Sequence, residues 1–436
     1  SLTAAPAYKS FWLSGTSGIL YWGTQPIATT TPGASDIEGS LTTNYLPIAT
    51  NTNTVGNYVL AKSENRSIWI GSNPGGTIEG TQNDNVALGY NALDAITSGS
   101  YNTALGGYAL SAFEGEAGLM NTAVGYAAGL SLVNGYYNTY IGTNAGQALT
   151  SGDKNTSIGY DAMGNTTAGN KNVAVGFKAL RVSQAGNTTA VGYQALVSNV
   201  SGDLNTALGW EAGISNVSGS HNVFVGYKAG HAQDGGSSLG NGNTYVGHNA
   251  AVLNMSNYSV IIGSEAGAAA TSAGSSVFIG RQAAGGGTVV GGNNTLVGYQ
   301  AGYLLAGGYD NTGLGYKTLN SLAGGYYNTS IGFQALFSNT SGYGNTALGY
   351  KSLDAVVGGF NNTAIGVNAG GNTSSGDRNV FIGYNAGSDA TATDDDKLFI
   401  ANAAGKPLIG GTFSGDEVHV YGELWIGSTN VDAAPA

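Results

Sequence analysis

The chain has 436 residues, of which 74 are glycine and 7 are proline, and glycine does not recur at every third position, so a collagen triple helix is excluded. Charged residues make up 9% and hydrophobic residues 42%, which excludes a disordered chain and predicts a protein with a buried core and little helix. The absence of cysteine and the net charge of −11 exclude disulfides and thiolate metal sites and argue against nucleic acid as a partner.

Residues 1–65 differ in composition from the rest of the chain. Aromatic residues cluster there at Phe11, Trp12, Tyr21 and Trp22 among serine, threonine and proline, which predicts a small docking segment with a Thr/Pro linker. This region has no apolar core of signal-peptide length, and the sequence has no run of about 18 apolar residues. We therefore expect neither Sec-dependent export nor membrane insertion.

A repeat of the form N-T-A-L-G-Y-x-A-L runs through residues 66–389. It occurs 19 times, and 12 of the 18 intervals between copies are 17 residues long. We call its central glycine the corner glycine. The corner glycines are Gly71, Gly89, Gly106, Gly125, Gly142, Gly159, Gly176, Gly192, Gly209, Gly226, Gly247, Gly263, Gly280, Gly298, Gly315, Gly332, Gly349, Gly366 and Gly383. A unit this short cannot close its own core, so the copies must stack.

Four features of the repeat predict local structure. The residue before the corner glycine is Ile, Val or Leu in all 19 copies and is predicted to be buried and to fill the coil. The third residue after the glycine is alanine in 16 copies, which indicates close approach of another backbone. The fourth residue before it is asparagine in 15 copies, a residue that caps turns and tolerates a left-handed backbone. The x-A-L segment after the glycine is predicted to begin a second short strand.

These features predict an all-β fold, an elongated trimeric β-solenoid or β-roll rod of about 17-residue repeats with small β domains at both ends. Coils that rise about 4.8 Å each would form a rod of roughly 85 Å. Because one coil encloses a thin core, three chains are expected to associate, with the alanine line facing their common axis. An aromatic residue follows the corner glycine in 12 copies and is expected to stack into a ladder that closes subunit contacts. A sugar-binding ladder is the alternative.

Residues 390–436 form the third predicted region. The polar run Asp394, Asp395 and Asp396 is followed by alternating segments K-L-F-I-A-N, P-L-I-G-G-T-F and E-V-H-V-Y-G-E-L-W-I-G. Alternation of apolar and polar residues is typical of strands with one buried face. The chain is therefore predicted to end in a β-cap.

The N-T-A-L-G-Y-x-A repeat resembles the head repeats of trimeric autotransporter adhesins, and repeats of this kind also occur in bacteriophage tail fibres. The segments 398–402, 407–413 and 418–422 look like the stretch that tail fibres carry just before a self-cleaving intramolecular chaperone. An autotransporter should instead show an export signal, a coiled-coil stalk and a membrane anchor, so the tail fibre is the better fit. The resemblance covers residues 66–426. The expected product is either a mature fibre after removal of a chaperone or a fibre that never had one.

The resemblance implies a non-enzymatic homotrimer of the virion tail fibre, made in the host cytoplasm, that attaches the phage to its host. We expect residues 1–65 to dock on a phage tail or baseplate protein and the tip to bind a host surface polysaccharide or lipopolysaccharide. The docking candidates are Phe11, Trp12, Tyr21 and Trp22, and the receptor-binding candidates are His419, Tyr421 and Trp425. The alternatives are a trimeric adhesin on a bacterial cell surface and a glycan-cleaving tailspike.

No catalytic residue, cofactor or metal ligand is predicted. The histidines, His221, His231, His248 and His419, lack the spacing of a zinc site. A G-x-S-x-G match at residues 236–240 lies in a glycine-rich loop without a helix pattern after it. The candidate acids of a tailspike, Asp161, Glu211 and Glu265, lie in different repeats and are interpreted as solvated surface charges. The aspartate run at 394–396 could ligate Ca²⁺ but is interpreted as a solvated turn.

Overall fold

The computed structural model describes residues 11–13, 20–22, 25–26, 67–70, 84–114, 120–231, 240–253, 256–388, 390–403, 407–415, 417–421, 424–426 and 429–431. Over these residues the protein is all-β, and the single 3-10 turn Phe413–Gly415 is its only helical element. The predicted β-solenoid of about 17-residue repeats is confirmed.

The strands fall into four groups. The N-terminal sheet has β1 Phe11–Leu13, β2 Leu20–Trp22 and β3 Gln25–Pro26. The solenoid has β4 Ile68–Ile70, β5 Val86–Leu88, β6 Thr103–Leu105, β7 Thr122–Val124, β8 Thr139–Ile141, β9 Thr156–Ile158, β10 Val173–Val175, β11 Thr189–Val191, β12 Thr206–Leu208, β13 Val223–Val225, β14 Thr244–Val246, β15 Val260–Ile262, β16 Val277–Ile279, β17 Thr295–Val297, β18 Thr312–Leu314, β19 Thr329–Ile331, β20 Thr346–Leu348, β21 Thr363–Ile365 and β22 Val380–Ile382. The cap has β23 Lys397–Ala401, β24 Pro407–Thr412 and β25 Glu417–Val420, and a hairpin has β26 Leu424–Ile426 and β27 Thr429–Val431.

Each solenoid strand pairs in parallel with the equivalent strand of the next coil. Ala174 lies opposite Ala190, and the same register holds from β4 to β22. The longest interval, between Gly226 and Gly247, does not disturb it, since Phe224 of β13 lies opposite Tyr245 of β14. The sheet therefore extends along the stacking axis by about 4.8 Å per coil.

Only the middle residue of each solenoid strand points into the coil. Ala104 is fully buried, whereas Leu88 and Leu208, which precede corner glycines, are 48% and 50% exposed. The prediction that the Ile/Val/Leu position fills the coil is wrong for the single chain. Side chains alternate along a strand, and the asparagine just before the strand is held inside by hydrogen bonds, so the second strand residue must face the interior.

The alanines after the corner glycine also lie inside the coil. Ala92, Ala128 and Ala195 are fully buried. The close backbone approach that they allow is between coils of the same chain, as where the Leu110 N–H donates to the Ala128 carbonyl at 3.0 Å. The prediction that the alanine line faces an axis between chains is therefore wrong.

The corner glycines make the predicted tight corner. From Gly89 to Gly383 their φ angles lie between +114° and +144°, a region that residues with a Cβ rarely adopt. A Cβ added at Gly125 would lie 2.5 Å from the Gly142 carbonyl oxygen. The next segment is a turn, because Asn91 and Leu93 have φ angles of 50° and 51° and cannot extend a strand. The predicted second strand is therefore wrong.

The asparagines before the strands stack into a buried ladder. Asn85 Oδ1 accepts a hydrogen bond from the Asn102 N–H at 2.8 Å, and Asn85 Nδ2 donates to the Gly99 carbonyl at 2.8 Å. Their side chains thus cap the turns as predicted. The left-handed backbone, however, belongs to the residue before each asparagine, as at Asp84 and Tyr101 with φ angles of 57° and 62°.

The cap continues the solenoid sheet. Strand β23 pairs in parallel with β22, and the Lys397 N–H donates to Asn379 Oδ1 at 2.9 Å, so the asparagine ladder ends on the cap. Strands β24 and β25 then add in antiparallel order. The predicted terminal β-cap is confirmed.

Candidate interaction surfaces

A line of exposed and half-buried aliphatic side chains runs along the outer face of the solenoid sheet. We call the residues that precede the corner glycines, from Leu88 to Ile382, the apolar stripe. Leu314 and Leu348 within it are 48% and 45% exposed. The other outward position of each strand is threonine, valine or, in β4, isoleucine. The whole outward face, about 85 Å long and one three-residue strand wide, covers roughly 800 Å², and the apolar stripe runs along its full length.

The predicted aromatic ladder after the corner glycines forms in two sections. Tyr193 and Trp210 stack with ring centroids 4.0 Å apart, at the end of a section that begins at Tyr160 and includes Phe177. The second section is Tyr299, Tyr316, Phe333 and Tyr350, with centroids 4.9 to 5.2 Å apart. Lysines cover several of these rings, as where Lys317 Nζ lies 5.5 Å from the Tyr316 centroid.

Sequence reasoning missed a second aromatic column. Tyr309, Tyr326, Tyr343 and Phe360 stack with centroids 4.9 to 5.0 Å apart and interplanar angles of 0° to 5°. Arg378 covers the last ring, with its guanidinium carbon 5.8 Å from the Phe360 centroid. The signal was present in the sequence as an aromatic residue six positions before four consecutive corner glycines, from Gly315 to Gly366.

Ring spacing limits what these columns can bind. Two stacked rings about 5 Å apart leave no room for a sugar between them, since a sugar on a ring face itself needs van der Waals separation on both sides. The stacked rings therefore offer their edges and hydroxyl groups to a ligand, not their faces. This geometry favours ring stacking between coils over the alternative of a sugar ladder.

Elsewhere along the same turns, polar side chains replace the rings. Asp153 Oδ1 accepts from the Tyr136 N–H at 3.2 Å, and Asn170 Oδ1 accepts from the Asp153 N–H at 2.8 Å. A hydrogen bond to Asp153 raises the pKa of the Tyr136 hydroxyl. Tyr136, Asp153 and Asn170 line a shallow groove together with Gly135 and Gly152. The groove is open to solvent and brings polar groups from three coils together.

The cap presents two different faces. Phe399 stacks on Phe381 of the solenoid core at 5.7 Å, so Leu398 and Ile400 on either side of it continue the outward face. Gly410 pairs with His419, which places His419 and Tyr421 on the other face, with ring centroids 6.1 Å apart. Both side chains are exposed. Two of the three receptor-binding candidates therefore lie together.

The third receptor-binding candidate and the docking candidates lie in short hairpins. Trp425 lies opposite Asn430 in the β26–β27 pair. In the N-terminal sheet Phe11 lies opposite Trp22, and Trp12 lies opposite Tyr21. The backbone thus brings the four predicted docking residues into two cross-strand pairs, and their role in docking stays a prediction.

The three candidate acids do not form a catalytic pair. Asp161 binds Arg181, Glu211 binds Lys228 and His231, and Glu265 accepts from Gln282. Asp161 is 7% exposed, so its interpretation as a solvated charge is wrong. Successive members are three coils apart, about 14 Å, beyond the 6.5–9.5 Å at which two carboxyl groups cleave a glycoside with inversion.

The aspartate run lies at the junction of the solenoid and the cap, where Asp395 is exposed and Asp394 and Asp396 are half-buried. Asp395 Oδ1 accepts from the Asp377 N–H at 2.8 Å, and Asp394 Oδ2 accepts from the Thr391 N–H at 2.7 Å. Asp396 accepts two hydrogen bonds from Arg378, at 2.7 and 3.1 Å. Each carboxylate therefore has a protein partner, and the hydrogen bonds from Arg378 lower the pKa of Asp396.

Among the described residues, no three His, Asp or Glu side chains are grouped as metal ligands. The G-x-S-x-G match lies largely outside the described residues. Within the part of the chain that the structure describes, no helix could span a membrane. No protein-family model matches this sequence, and no curated protein or solved structure matches it.

Proposed function

We propose that this chain is the shaft and tip of a homotrimeric, non-enzymatic bacteriophage tail fibre that binds a host surface polysaccharide or lipopolysaccharide. The observation that carries the proposal is the apolar stripe, an outward-facing aliphatic line, in part exposed, along a chain whose own coils are already filled. The outward face that contains the stripe has an area of roughly 800 Å², about what one partner contributes to a standard protein interface. The resemblance of the repeat and of the cap segments to tail fibres supplies the biological context.

Association along the stripe would place the stripe, in place of the alanine line, at the axis between the chains. The stripe residues, and not the alanines, would then fill the space between the three solenoids, beside the threonine and valine column. A copy of the same chain is the partner whose strands repeat at the same spacing, so each coil of one chain meets one coil of another. Closed three-fold symmetry would bury all three stripes.

The cap supports a role in attachment. Its exposed His419 and Tyr421 lie on the face opposite the stripe and would stay accessible in the trimer. Aromatic and imidazole groups together can pack against a sugar and hydrogen-bond to it. Three equivalent tips would convert weak single sites into strong adhesion through effective concentration.

The oligomeric state tests the proposal directly. Light scattering of the full chain should give three times its 43.7 kDa mass, and negative-stain microscopy should show a slender rod. The triple variant Leu208→Glu, Leu314→Glu and Leu348→Glu should be monomeric with an unchanged β circular dichroism spectrum. The control triple variant Val200→Glu, Leu304→Glu and Val357→Glu changes side chains that are 38 to 45% exposed but lie off the stripe, and it should stay trimeric.

Attachment needs a separate test. Purified wild-type chain should bind intact cells or lipopolysaccharide of a susceptible bacterial host without releasing reducing ends from its glycans. Release of reducing ends would favour the tailspike instead. A compact monomeric wild-type chain would contradict the trimeric fibre, and a gene far from tail and baseplate genes would favour the surface adhesin.

A further inference from the structure

The apolar stripe cannot by itself define how far one chain is shifted along another. All its residues are Ile, Val or Leu, and the neighbouring outward column contains Thr, Val and one Ile. A shift of one coil, about 4.8 Å, therefore replaces each contact by an equivalent one and uncovers only one strand at each end. Chains that associated through the stripe alone would populate several registers.

Insertions in the solenoid do not remove this degeneracy. The longest interval holds its extra residues between His231 and Gly240, outside the strands. Strand β13 pairs with β14 in the ordinary register, with Val225 opposite Val246. The stripe is therefore uniform even across the insertion.

The apolar columns of the solenoid face continue onto the cap. Val380 and Ile382 of the last coil lie opposite Leu398 and Ile400 of β23, so the apolar columns pass onto the cap without a gap. The columns then continue across antiparallel strands, where Ile400 lies opposite Ile409 and Ile409 opposite Val420.

The pattern on the cap differs from that of any coil. Gly411 lies opposite Val418, and Val418 is 64% exposed, more than the stripe residues Leu88 and Leu208. Strands β23 and β24 have five and six residues, against three in the coils, and β24 runs antiparallel to β23. A one-coil shift between two chains would place cap strands of one chain against coil strands of the other, which differ in length and in the arrangement of their side chains.

We propose that the outward face of the cap, formed by Leu398, Ile400, Ile409, Val418 and Val420, sets the axial register in which copies of this chain associate. The stripe supplies most of the buried area, and the cap selects one register among the equivalent ones. This inference rests on the proposed homotrimer.

The natural absence of cysteine allows a direct measurement of register. One chain carries Leu314→Cys and a co-expressed chain carries Ile331→Cys, at stripe positions of adjacent coils. After oxidation with copper–phenanthroline, chains in register form disulfides between identical positions. In chains that are in register, positions 314 and 331 are offset by about 4.8 Å along the axis, in addition to the lateral gap between the chains. Their Cα atoms then lie farther apart than the separation of about 7 Å that a disulfide usually spans, so this link forms only between chains that are shifted by one coil.

Two exposed aliphatic residues of the cap provide matched variants. Val418→Asp, on the stripe face, should keep the trimer mass but raise the 314–331 disulfide from a trace to the level of the disulfides between identical positions. Leu408→Asp changes a residue that is 54% exposed on the opposite face and should leave the pattern unchanged.

The outcomes separate this proposal from the one on which it rests. A monomeric wild-type chain overturns both. A trimeric Val418→Asp chain that still links only identical positions overturns the role of the cap alone. A monomeric Val418→Asp chain also contradicts it, because the stripe is unchanged in that variant.

Discussion

Asn362 Oδ1 accepts two hydrogen bonds from Asn379 in the next coil, one from the backbone N–H and one from Nδ2, both at 3.0 Å. Asn362 Nδ2 in turn donates to the Gly376 carbonyl at 2.8 Å. Asn362 is fully buried. One side chain therefore ties its own coil to the next strand and to the next turn, which explains why the repeat places asparagine before its strands.

Replacing Asn362 by alanine should cost about 1–3 kcal/mol in the free energy of unfolding, because the Asn379 N–H and the Gly376 carbonyl would lose partners without gaining water. Urea denaturation followed by circular dichroism measures the change. Asn134→Ala is the control, since Asn134 is an exposed asparagine and its replacement should alter stability by less than about 0.5 kcal/mol. Equal effects of the two variants would contradict a structural role of the ladder.

The corner glycines should tolerate no side chain. At Gly280 φ is +130° and an added Cβ would lie 2.5 Å from the Gly298 carbonyl oxygen, so Gly280→Ala should cost more than about 3 kcal/mol from backbone strain and collision. Gly307→Ala is the matched control, because a Cβ at Gly307 meets nothing within 4 Å. The control should be neutral or stabilising by up to about 1 kcal/mol. Melting temperatures of the two variants compare them directly.

Ring stacking should stabilise the solenoid by a measurable amount. Phe333 stacks between Tyr316 and Tyr350, at 4.9 and 5.2 Å, so Phe333→Ala removes two aromatic pairs and should cost about 1–3 kcal/mol. Phe333→Tyr should be nearly neutral, because both neighbours are tyrosines. Tyr384→Ala, at the same repeat position and 55% exposed, tests loss of a ring where the structure records no stacked partner among the described residues. A Tyr384→Ala loss as large as that of Phe333→Ala would contradict stacking as the cause.

The sequence predicted the period, the tight glycine corner and the cap, because each depends on local chemistry such as positive φ at glycine or strand alternation in β23 to β25. It did not predict which side of the strand is buried. Leu88 and Ala87 are both apolar, so either could face the interior of the coil. Asn85, just before the strand, is held inside by its hydrogen bonds, and alternation along the strand then turns Ala87 inward and Leu88 outward. The second aromatic column was missed because its rings precede the strand in only part of the chain.

The link between Arg378 and Asp396 should make the junction of the solenoid and the cap sensitive to acid. The hydrogen bonds from Arg378 lower the pKa of Asp396 in the folded protein, so the ionised carboxylate is favoured by folding. The stabilisation is fully present above the unfolded pKa of about 3.9 and is lost as the pH falls through the lower folded pKa.

Asp396→Asn should lower the melting temperature at pH 7, and the difference from the wild type should shrink below about pH 4 and vanish once Asp396 is protonated in the folded state. Asp310→Asn, which also removes one carboxylate from an exposed position, is the charge-matched control. A difference for Asp396→Asn that persists unchanged at about pH 2 would assign the effect to packing and not to the charge of Asp396.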